Sequence, residues 1–152
     1  MNIVYLADHP HHIPTVARWH HAAWGHLRHD DTLERRIKRL QGNMGHHEIP
    51  TVLIAIEGDA VLGSSSLIPH DMDTRLDLTP WLASVYTDEA HRGRGVGSAI
   101  VQRVMDEAKK LGVETLYLMT PDRQTFYERL GWVRVEDVEY LDEMVTIMQV
   151  SL

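Results

Sequence analysis

A short segment that combines cations with glycines carries the clearest chemical signal in this sequence. It reads Arg-Gly-Arg-Gly-Val-Gly from Arg92 to Gly97. Glycines let a ligand approach the backbone closely, and a helix that begins here would direct the positive end of its dipole at the same point. Arginines add charge-assisted hydrogen bonds to an anion. The segment therefore predicts a phosphate site, with a pyrophosphate as its natural ligand. A flexible glycine turn with solvated arginines is the alternative interpretation.

Two other phosphate motifs are excluded by the residues around these glycines. A P-loop needs Lys followed by Ser or Thr after its last glycine, whereas Gly97 is followed by Ser98 and Ala99. A dinucleotide fingerprint has the spacing GxGxxG, whereas this segment reads GxGxG. The strand predicted after it also ends at Met119-Thr120 rather than at an acidic residue. The expected ligand is therefore neither a P-loop nucleotide nor a dinucleotide.

The composition excludes several kinds of catalysis and several classes of partner. The chain has 152 residues, which predicts a single domain over 1–152, and it contains no cysteine, which excludes thiol catalysis and thiolate metal sites. Its net charge of −7 is unfavourable for nucleic acids and anionic membranes, so a small molecule is the expected partner. Adjacent histidine pairs without an HExxH pattern predict no metal site. A cytoplasmic location is expected.

The hydrophobic pattern predicts the elements that must position the glycine segment. The segment falls between a strand at 81–87 and a helix at 98–111, and the next strand, 113–119, is apolar enough to be buried on both faces. The order of elements describes an α/β domain with a mixed sheet. The other strands are predicted at 2–6, 51–57, 60–68, 133–135 and 144–150, and the other helices at 14–27, from a capping box of Asp31 and Glu34 to Gly42, and at 124–130 with Asp122 as its cap.

Two landmarks then resemble one protein family. Arg92-x-x-Gly95-x-Gly97 is similar to the [Gln/Arg]-x-x-Gly-x-[Gly/Ala] signature of the GNAT superfamily of acetyl-CoA-dependent N-acetyltransferases. The segment from Phe126 to Trp132 resembles the Phe-Tyr-x-x-x-Gly-Phe segment of the same family. The resemblance implies a single-domain GNAT fold, with a mixed, mostly antiparallel central sheet of about seven strands and about four helices. It also implies acetyl-CoA as co-substrate.

The resemblance assigns roles to individual residues. It implies that Tyr127 protonates the departing CoA thiolate, although a packed core tyrosine is the alternative. Thr120 stands where many relatives have an Asn that contacts pantetheine, and Trp81 stands where some have a catalytic Glu. The implied cofactor-binding residues are Val85, Tyr86 and Thr87 for the pantetheine arm and thioester, Arg92, Gly93, Arg94, Gly95, Val96, Gly97 and Ser98 for the pyrophosphate, and Thr120 and Phe126.

The predicted function is direct transfer of acetyl from acetyl-CoA to a primary amine, since no cysteine is present to form an acyl-enzyme. The segment 136–143 has five carboxylates and neither Lys nor Arg, and in the family it borders the acceptor cleft. Together with Asp71, Asp73 and Asp77 it predicts a small cationic acceptor. A protein N-terminal or lysine acetyltransferase and a non-catalytic acyl-CoA-binding regulatory module are the alternatives. The general base and the oligomeric state stay open, with His70, Asp71 and Asp77 as candidate bases and a homodimer as one option.

Overall fold

A seven-stranded sheet organises the molecule in the computed structural model, which describes all residues from 1 to 152. The strands are β1 (Asn2–Tyr5), β2 (Thr51–Glu57), β3 (Ala60–Ile68), β4 (Trp81–Thr87), β5 (Thr115–Thr120), β6 (Val133–Tyr140) and β7 (Glu143–Ser151). They lie in the order β1-β2-β3-β4-β5-β7-β6. All neighbouring strands are antiparallel except β4 and β5, which are parallel. The α/β class, the mixed sheet and the number of strands are therefore confirmed.

Four α-helices cover the sheet, as predicted. They are α1 (Ile13–Trp24), α2 (Leu33–Gln41), α3 (Val96–Lys110) and α4 (Gln124–Arg129). The apolar stripe of α3, which includes Val101, Val104 and Ala108, packs into the largest hydrophobic cluster with side chains of β2, β4 and β5. A second cluster joins α1 and α2 to alternate residues of β2. No helix is both long enough and apolar enough to cross a membrane.

The sheet opens between β4 and β5. The two strands pair only at their beginnings, where Trp81 lies opposite Tyr117. On the other side of β4, pairing with β3 contains a bulge, because the residues between Ala83 and Tyr86 face a shorter stretch of β3. Ser84 lies in this bulge with a φ of 53°. The bulge and the divergence of β5 leave the second half of β4 without a neighbour on one side.

Two predicted helix caps were wrong. Thr32, not Asp31, caps α2, and its side chain accepts a hydrogen bond from the backbone N–H of Arg35. The Asp31 carboxylate is instead taken by side chains of His21 and Arg36. At α4 the cap position is Arg123 rather than Asp122, and its N–H donates to Thr120 Oγ1 in the preceding strand.

Two strands also differ from the prediction. Strand β5 alternates between buried and half-buried residues, so only one of its faces is fully covered. Strand β6 continues through the acidic residues to Tyr140, and only Leu141 and Asp142 separate it from β7. The predicted acidic connection is therefore mostly an edge strand, whose alternation of acidic residues with Val and Tyr permits pairing with β7.

Candidate active site

The open end of the sheet leads into one large cavity of about 1100 Å³. Its walls come from β4, β5, the turn before α3, α4, the segment that joins α1 to α2, and the loop between β3 and β4. The second pocket is much smaller and lies elsewhere, against β6 and β7. The large cavity brings together most of the site residues predicted from the sequence.

The glycine turn forms one end of this cavity. Gly95 has a φ of 78° and caps α3, whose first residue is Val96 rather than the predicted Ser98. This left-handed conformation is costly for residues other than glycine, and it directs the first free N–H groups of the helix outward. The Gly97 position approaches Thr87, since a Cβ there would lie 3.4 Å from Thr87 Oγ1. The turn residues that line the cavity are Arg92, Gly93, Gly95, Val96, Gly97 and Ser98.

The two arginines of the turn have different surroundings. Arg92 lines the cavity, donates to the carbonyl oxygen of Thr87 at 3.0 Å, and places its guanidinium 5.4 Å from the centre of the Tyr86 ring. Arg94 does not line the cavity. Its side chain contacts His91 and Glu57, with the Glu57 carboxylate at 3.2 Å. A role for the Arg94 side chain at a phosphate therefore requires breaking these contacts, whereas Arg92 already faces the cavity.

The exposed edge of β4 supplies main-chain groups to the cavity. Val85, Tyr86 and Thr87, which were predicted to contact the cofactor, all line it, and so does Ser84 at the bulge. The diverging β5 leaves main-chain groups on this edge free of a ladder partner. Sequence reasoning missed Ser84, because a serine in a left-handed bulge carries no sequence signal comparable to a glycine.

Tyr127 on α4 lines the same cavity as the glycine turn and the free edge of β4. Its side chain is buried, and its ring packs edge-on against Phe126 and Trp132 with centroids 5.0 and 6.1 Å away. The hydroxyl lines the cavity without a hydrogen bond to another residue. Burial raises the pKa of the Tyr127 phenol above its usual value, so the group is protonated at neutral pH. The geometry thus presents a neutral O–H donor to the cavity.

Thr120 and Phe126 also line the cavity. The Thr120 hydroxyl accepts the N–H of Arg123 at 3.0 Å, so it fixes the start of α4 as well as facing the cavity. Because Phe126 packs against Tyr127, it also helps to orient the tyrosine ring. Both residues therefore support the position of Tyr127.

The opposite end of the cavity is built from charged side chains. Arg36 on α2 is buried and donates to Asp31 at 2.7 Å, and Arg35 pairs with Asp30 at 2.9 Å. The hydroxyl of Tyr140 joins two further groups, because it accepts from Arg28 at 3.1 Å and donates to Asp73 at 3.2 Å. The remaining charged residues of the wall are Arg39, Asp71 and Glu143.

Asp71 is the most perturbed carboxyl of this wall. It is half-buried in the loop between β3 and β4 and makes no hydrogen bond or ion pair. Burial raises the pKa of its carboxyl to about 6, although the guanidinium groups of Arg39, Arg28 and Arg36 act in the opposite direction. A carboxyl with this pKa is ionised at neutral pH and is able to accept a proton. Of the three candidate bases, His70 also lines the cavity, whereas Asp77 does not and pairs with Arg75.

Most of the predicted acidic wall lies elsewhere. Glu136 pairs with Arg75, and Asp137 accepts from Thr146, both on the edge strand β6. Glu139 and Asp142 are exposed and do not line the cavity. Of the eight carboxylates that the sequence suggested for the acceptor cleft, only Asp71, Asp73 and Glu143 contribute to the cavity. The difference arises because the acidic segment is a strand rather than a loop.

A buried histidine outside the cavity has a structural role. His20 on α1 contacts Ser64 on β3, with 3.2 Å between Nε2 and Oγ. Burial lowers the pKa of this imidazole to about 3, so it is neutral. Neither residue lines the cavity. The chain also contains no group of three or more His, Asp or Glu side chains arranged to hold a metal ion.

Comparison with known proteins decides the family. The acetyltransferase (GNAT) domain model matches residues 48–134, which is more than half of the chain and includes β4, the glycine turn and Tyr127. The chain belongs to the GNAT acetyltransferase family. The resemblance recognised from the two sequence landmarks is therefore confirmed, and with it the class of enzyme and acetyl-CoA as the co-substrate.

Solved structures share this GNAT fold over the whole chain. An acetyltransferase from Streptococcus agalactiae is 22% identical, with a TM-score of 0.71 and coverage of 99% of this chain and 98% of that one. A ribosomal-protein-alanine N-acetyltransferase from Brucella melitensis is 17% identical, with a TM-score of 0.77 and full coverage of both chains. An aminoglycoside 6'-N-acetyltransferase in complex with coenzyme A is 16% identical, with a TM-score of 0.77 and coverage of 99% and 97%. These similarities establish the fold and leave the acceptor open.

The residues of this GNAT enzyme fit acetyl-CoA. Successive N–H groups at the start of α3 suit a pyrophosphate, and no atom lies within 4 Å of the position that a Cβ would take at Gly93 or Gly95. The unpaired edge of β4 suits the amide groups of a pantetheine arm, as an extra strand would. Both features are made by the main chain, and they lie on the same cavity.

Proposed function

We propose that this GNAT enzyme transfers acetyl directly from acetyl-CoA to the primary amine of a small cationic acceptor. The observation that carries the proposal is the continuity of the cavity, which contains the glycine turn, Tyr127 and Asp71 in one space. Direct transfer requires the donor and the acceptor to meet in such a space. Its carboxylates Asp71, Asp73 and Glu143 favour an acceptor that arrives as an ammonium ion.

The donor end is assigned residue by residue. We assign the pyrophosphate to the main chain of 92–98 with the Arg92 side chain, and the pantetheine arm to the free edge of β4 at Val85, Tyr86 and Thr87. Phe126 and Thr120 complete this wall. Acetyl-CoA supplies the acetyl group as a thioester, whose carbonyl carbon the amine attacks and whose sulfur leaves as a thiolate. N–H groups beside the Ser84 bulge are the donors available to the carbonyl oxygen.

Two protons leave the ammonium during the reaction, and the cavity has a residue for each. Asp71 accepts the first proton before the attack, because a protonated amine has no lone pair with which to form the bond to carbon. The second proton leaves after that bond forms, since the nitrogen then becomes far more acidic. Tyr127 gives its proton to the departing sulfur and recovers one from the nitrogen. Burial raises the pKa of Tyr127. The pKa of a CoA thiol that leaves in the same cavity is raised by burial as well, so burial alone does not disfavour the proton transfer. The products are an N-acetyl amine, CoA and one proton released to solvent.

An acceptor screen tests this function. Release of CoA, followed with a thiol reagent, is measured across polyamines, amino acids, aminoglycosides and peptides, and the acetylated products are identified by mass spectrometry. We expect acetylation of a small cationic amine. Acetylation of peptide N-termini or lysines alone would contradict the proposed acceptor, and a protein that binds acetyl-CoA without acetylating any amine would be a binding module.

A further inference from the structure

The charged side chains at the acceptor end divide into paired and unpaired groups. Arg36 pairs with Asp31, and Arg35 pairs with Asp30, so the charges cancel within each pair. Asp31 is held further by His21, whose Nδ1 lies 2.7 Å from its carboxylate. These groups build the wall and have little charge left for a ligand. The rest of the wall therefore decides what the cavity attracts.

Arg39 is the arginine of α2 without a carboxylate partner. Arg35 and Arg36 on the same helix are paired, whereas Arg39 has no ion pair or side-chain hydrogen bond. Burial and the nearby guanidinium groups of Arg36 and Arg28 lower the pKa of Arg39, although the carboxylates of Asp31 and Asp71 act in the opposite direction. Arg39 lines the cavity, so its guanidinium is available to an anionic group of a ligand.

Arg28 offers a second cation at the same place. It comes from the segment between α1 and α2, and its only side-chain hydrogen bond goes to the Tyr140 hydroxyl. A guanidinium has five N–H donors, so Arg28 retains most of them for a ligand. Tyr140 is anchored on the opposite side by Asp73, which fixes the orientation of the Arg28 side chain.

Asp71 faces these cations without bonding to them. The guanidinium groups of Arg39, Arg28 and Arg36 are near enough to lower the pKa of Asp71, although burial has the larger effect. No hydrogen bond joins the carboxylate to any of them. The cavity is thus lined by a carboxylate without an ion pair and by two guanidinium groups with free donors.

We propose that the acceptor is a basic amino acid or a close analogue, which is cationic overall, with an ammonium group that faces Asp71 and a carboxylate that binds Arg39 and Arg28. This inference rests on the proposed acetylation of a primary amine and adds the second recognition group. Guanidinium groups bind carboxylates through paired N–H donors, which gives direction as well as attraction. The five charged groups left unpaired, Arg28, Arg39, Asp71, Asp73 and Glu143, sum to −1. A single carboxylate with an ammonium leaves this balance unchanged, whereas a phosphate dianion would worsen it.

Matched acceptors test the proposal. Each L-amino acid that is acetylated is compared with its own carboxamide, which keeps the amine and the side chain and removes the negative charge. The wild-type enzyme is expected to show a kcat/KM about tenfold or more higher for the amino acid, because a hydrogen bond to a charged group is worth roughly that factor. The difference is expected in KM, since the carboxylate does not take part in bond formation.

Variants of α2 locate the effect. Arg39→Gln is expected to raise KM for the amino acid about tenfold more than KM for the carboxamide, so that the preference disappears. Arg39→Lys keeps the charge and is expected to retain part of the preference. Lys38→Gln is the matched control, because Lys38 is the neighbouring cation on the same helix and does not line the cavity. It is expected to keep the full preference.

Several results would overturn this inference. If the carboxamide or the decarboxylated amine is acetylated as well as the amino acid, the carboxylate subsite is wrong although the acetyltransferase function stands. If Arg39→Gln leaves the preference intact, the arginine has been misassigned. If no amine of any class is acetylated, the proposed function and this inference fail together, and the acetyl-CoA binding measured on the same protein separates that result from an unfolded preparation.

Discussion

In the proposed function, the two ends of the cavity recognise their ligands by different means. The donor end is made mostly of main chain, from seven consecutive residues of the glycine turn and the free edge of β4. The acceptor end is made of side chains from α2 and the segment before it, from the β3–β4 loop, and from β6 and β7 beside their turn. Main-chain recognition depends on backbone conformation and tolerates changes of side chain. Side-chain recognition allows the acceptor to change while the donor end remains the same.

Removal of the Tyr127 hydroxyl has the largest expected effect on activity. Tyr127→Phe deletes one hydroxyl that makes no hydrogen bond within the protein, so the fold and the affinity for acetyl-CoA are expected to be kept. We expect kcat to fall by a factor of about 10²–10⁴, as is typical for the loss of a general acid. Single-turnover kinetics measure this effect where chemistry limits the rate.

Tyr117→Phe is the control for that experiment. Tyr117 lies on β5, near the point where β4 and β5 pair, and does not line the cavity. It loses the same hydroxyl in a half-buried environment and is expected to keep full activity. An unchanged kcat in Tyr127→Phe would make Tyr127 a core aromatic residue.

The conformation of Gly95 tests the main-chain character of the donor end. Gly95→Val places a branched side chain at a φ of 78° and is expected to weaken acetyl-CoA binding by tenfold or more, measured by calorimetry. Gly112→Val is the control, because Gly112 has a φ of 83°, ends α3 and does not line the cavity. In both variants the left-handed conformation costs about 1–2 kcal/mol of stability. Equal loss of binding in the two variants would show that strain, rather than position, is responsible.

Asp71 tests the acceptor end through pH and stability together. The kcat/KM for the acceptor is expected to fall as the pH drops through about 6, because Asp71 becomes protonated and no longer attracts an ammonium ion or accepts a proton. Asp71→Asn is expected to lower kcat/KM about 10-fold to 100-fold at neutral pH and to abolish this limb of the profile. A wild-type profile that is flat through pH 6 would contradict the assignment.

The same substitution is expected to stabilise the protein. Since burial raises the folded pKa of Asp71 above that of the unfolded chain, stability falls as the pH rises from about 4 to about 6 and stays lower above it. Asp71→Asn removes the ionised carboxylate and is expected to add roughly 1–2 kcal/mol at pH 7 and nothing at pH 3.5. Thermal unfolding at the two pH values measures this difference. A loss of activity accompanied by a loss of stability would indicate a structural role instead.

The contrast between the ends also explains how much the sequence predicted. The donor end was predictable because Arg92 to Gly97 are consecutive and because glycines report the backbone conformation directly. The strands β2, β3 and β4 were predicted with their correct bounds, since β-branched runs and a Gly-Asp turn delimit them. The predicted roles of the individual site residues stay predictions until variants are measured.

The acceptor end was less predictable because its residues are distant in the sequence. Arg39 and Asp71 are separated by β2 and β3, and nothing local distinguishes them from solvated surface charges. The acidic segment 136–143 was placed in the cleft because in the family the chain between the last two strands borders the acceptor, yet pairing with β7 makes most of the segment a strand. Asp31 resembled a helix cap because its partners, His21 and Arg36, meet it only in the folded chain.

The most direct test of the account measures both Michaelis constants in two variants. With the other substrate saturating, Gly95→Val is expected to raise KM for acetyl-CoA about tenfold and to leave KM for the acceptor unchanged. Arg39→Gln is expected to do the reverse, raising KM for an amino acid acceptor about tenfold without affecting acetyl-CoA. This crossed pattern is the result that separate donor and acceptor ends predict. If both variants raise the same constant, or if Arg39→Gln weakens acetyl-CoA alone, the division of the cavity into these two ends is wrong.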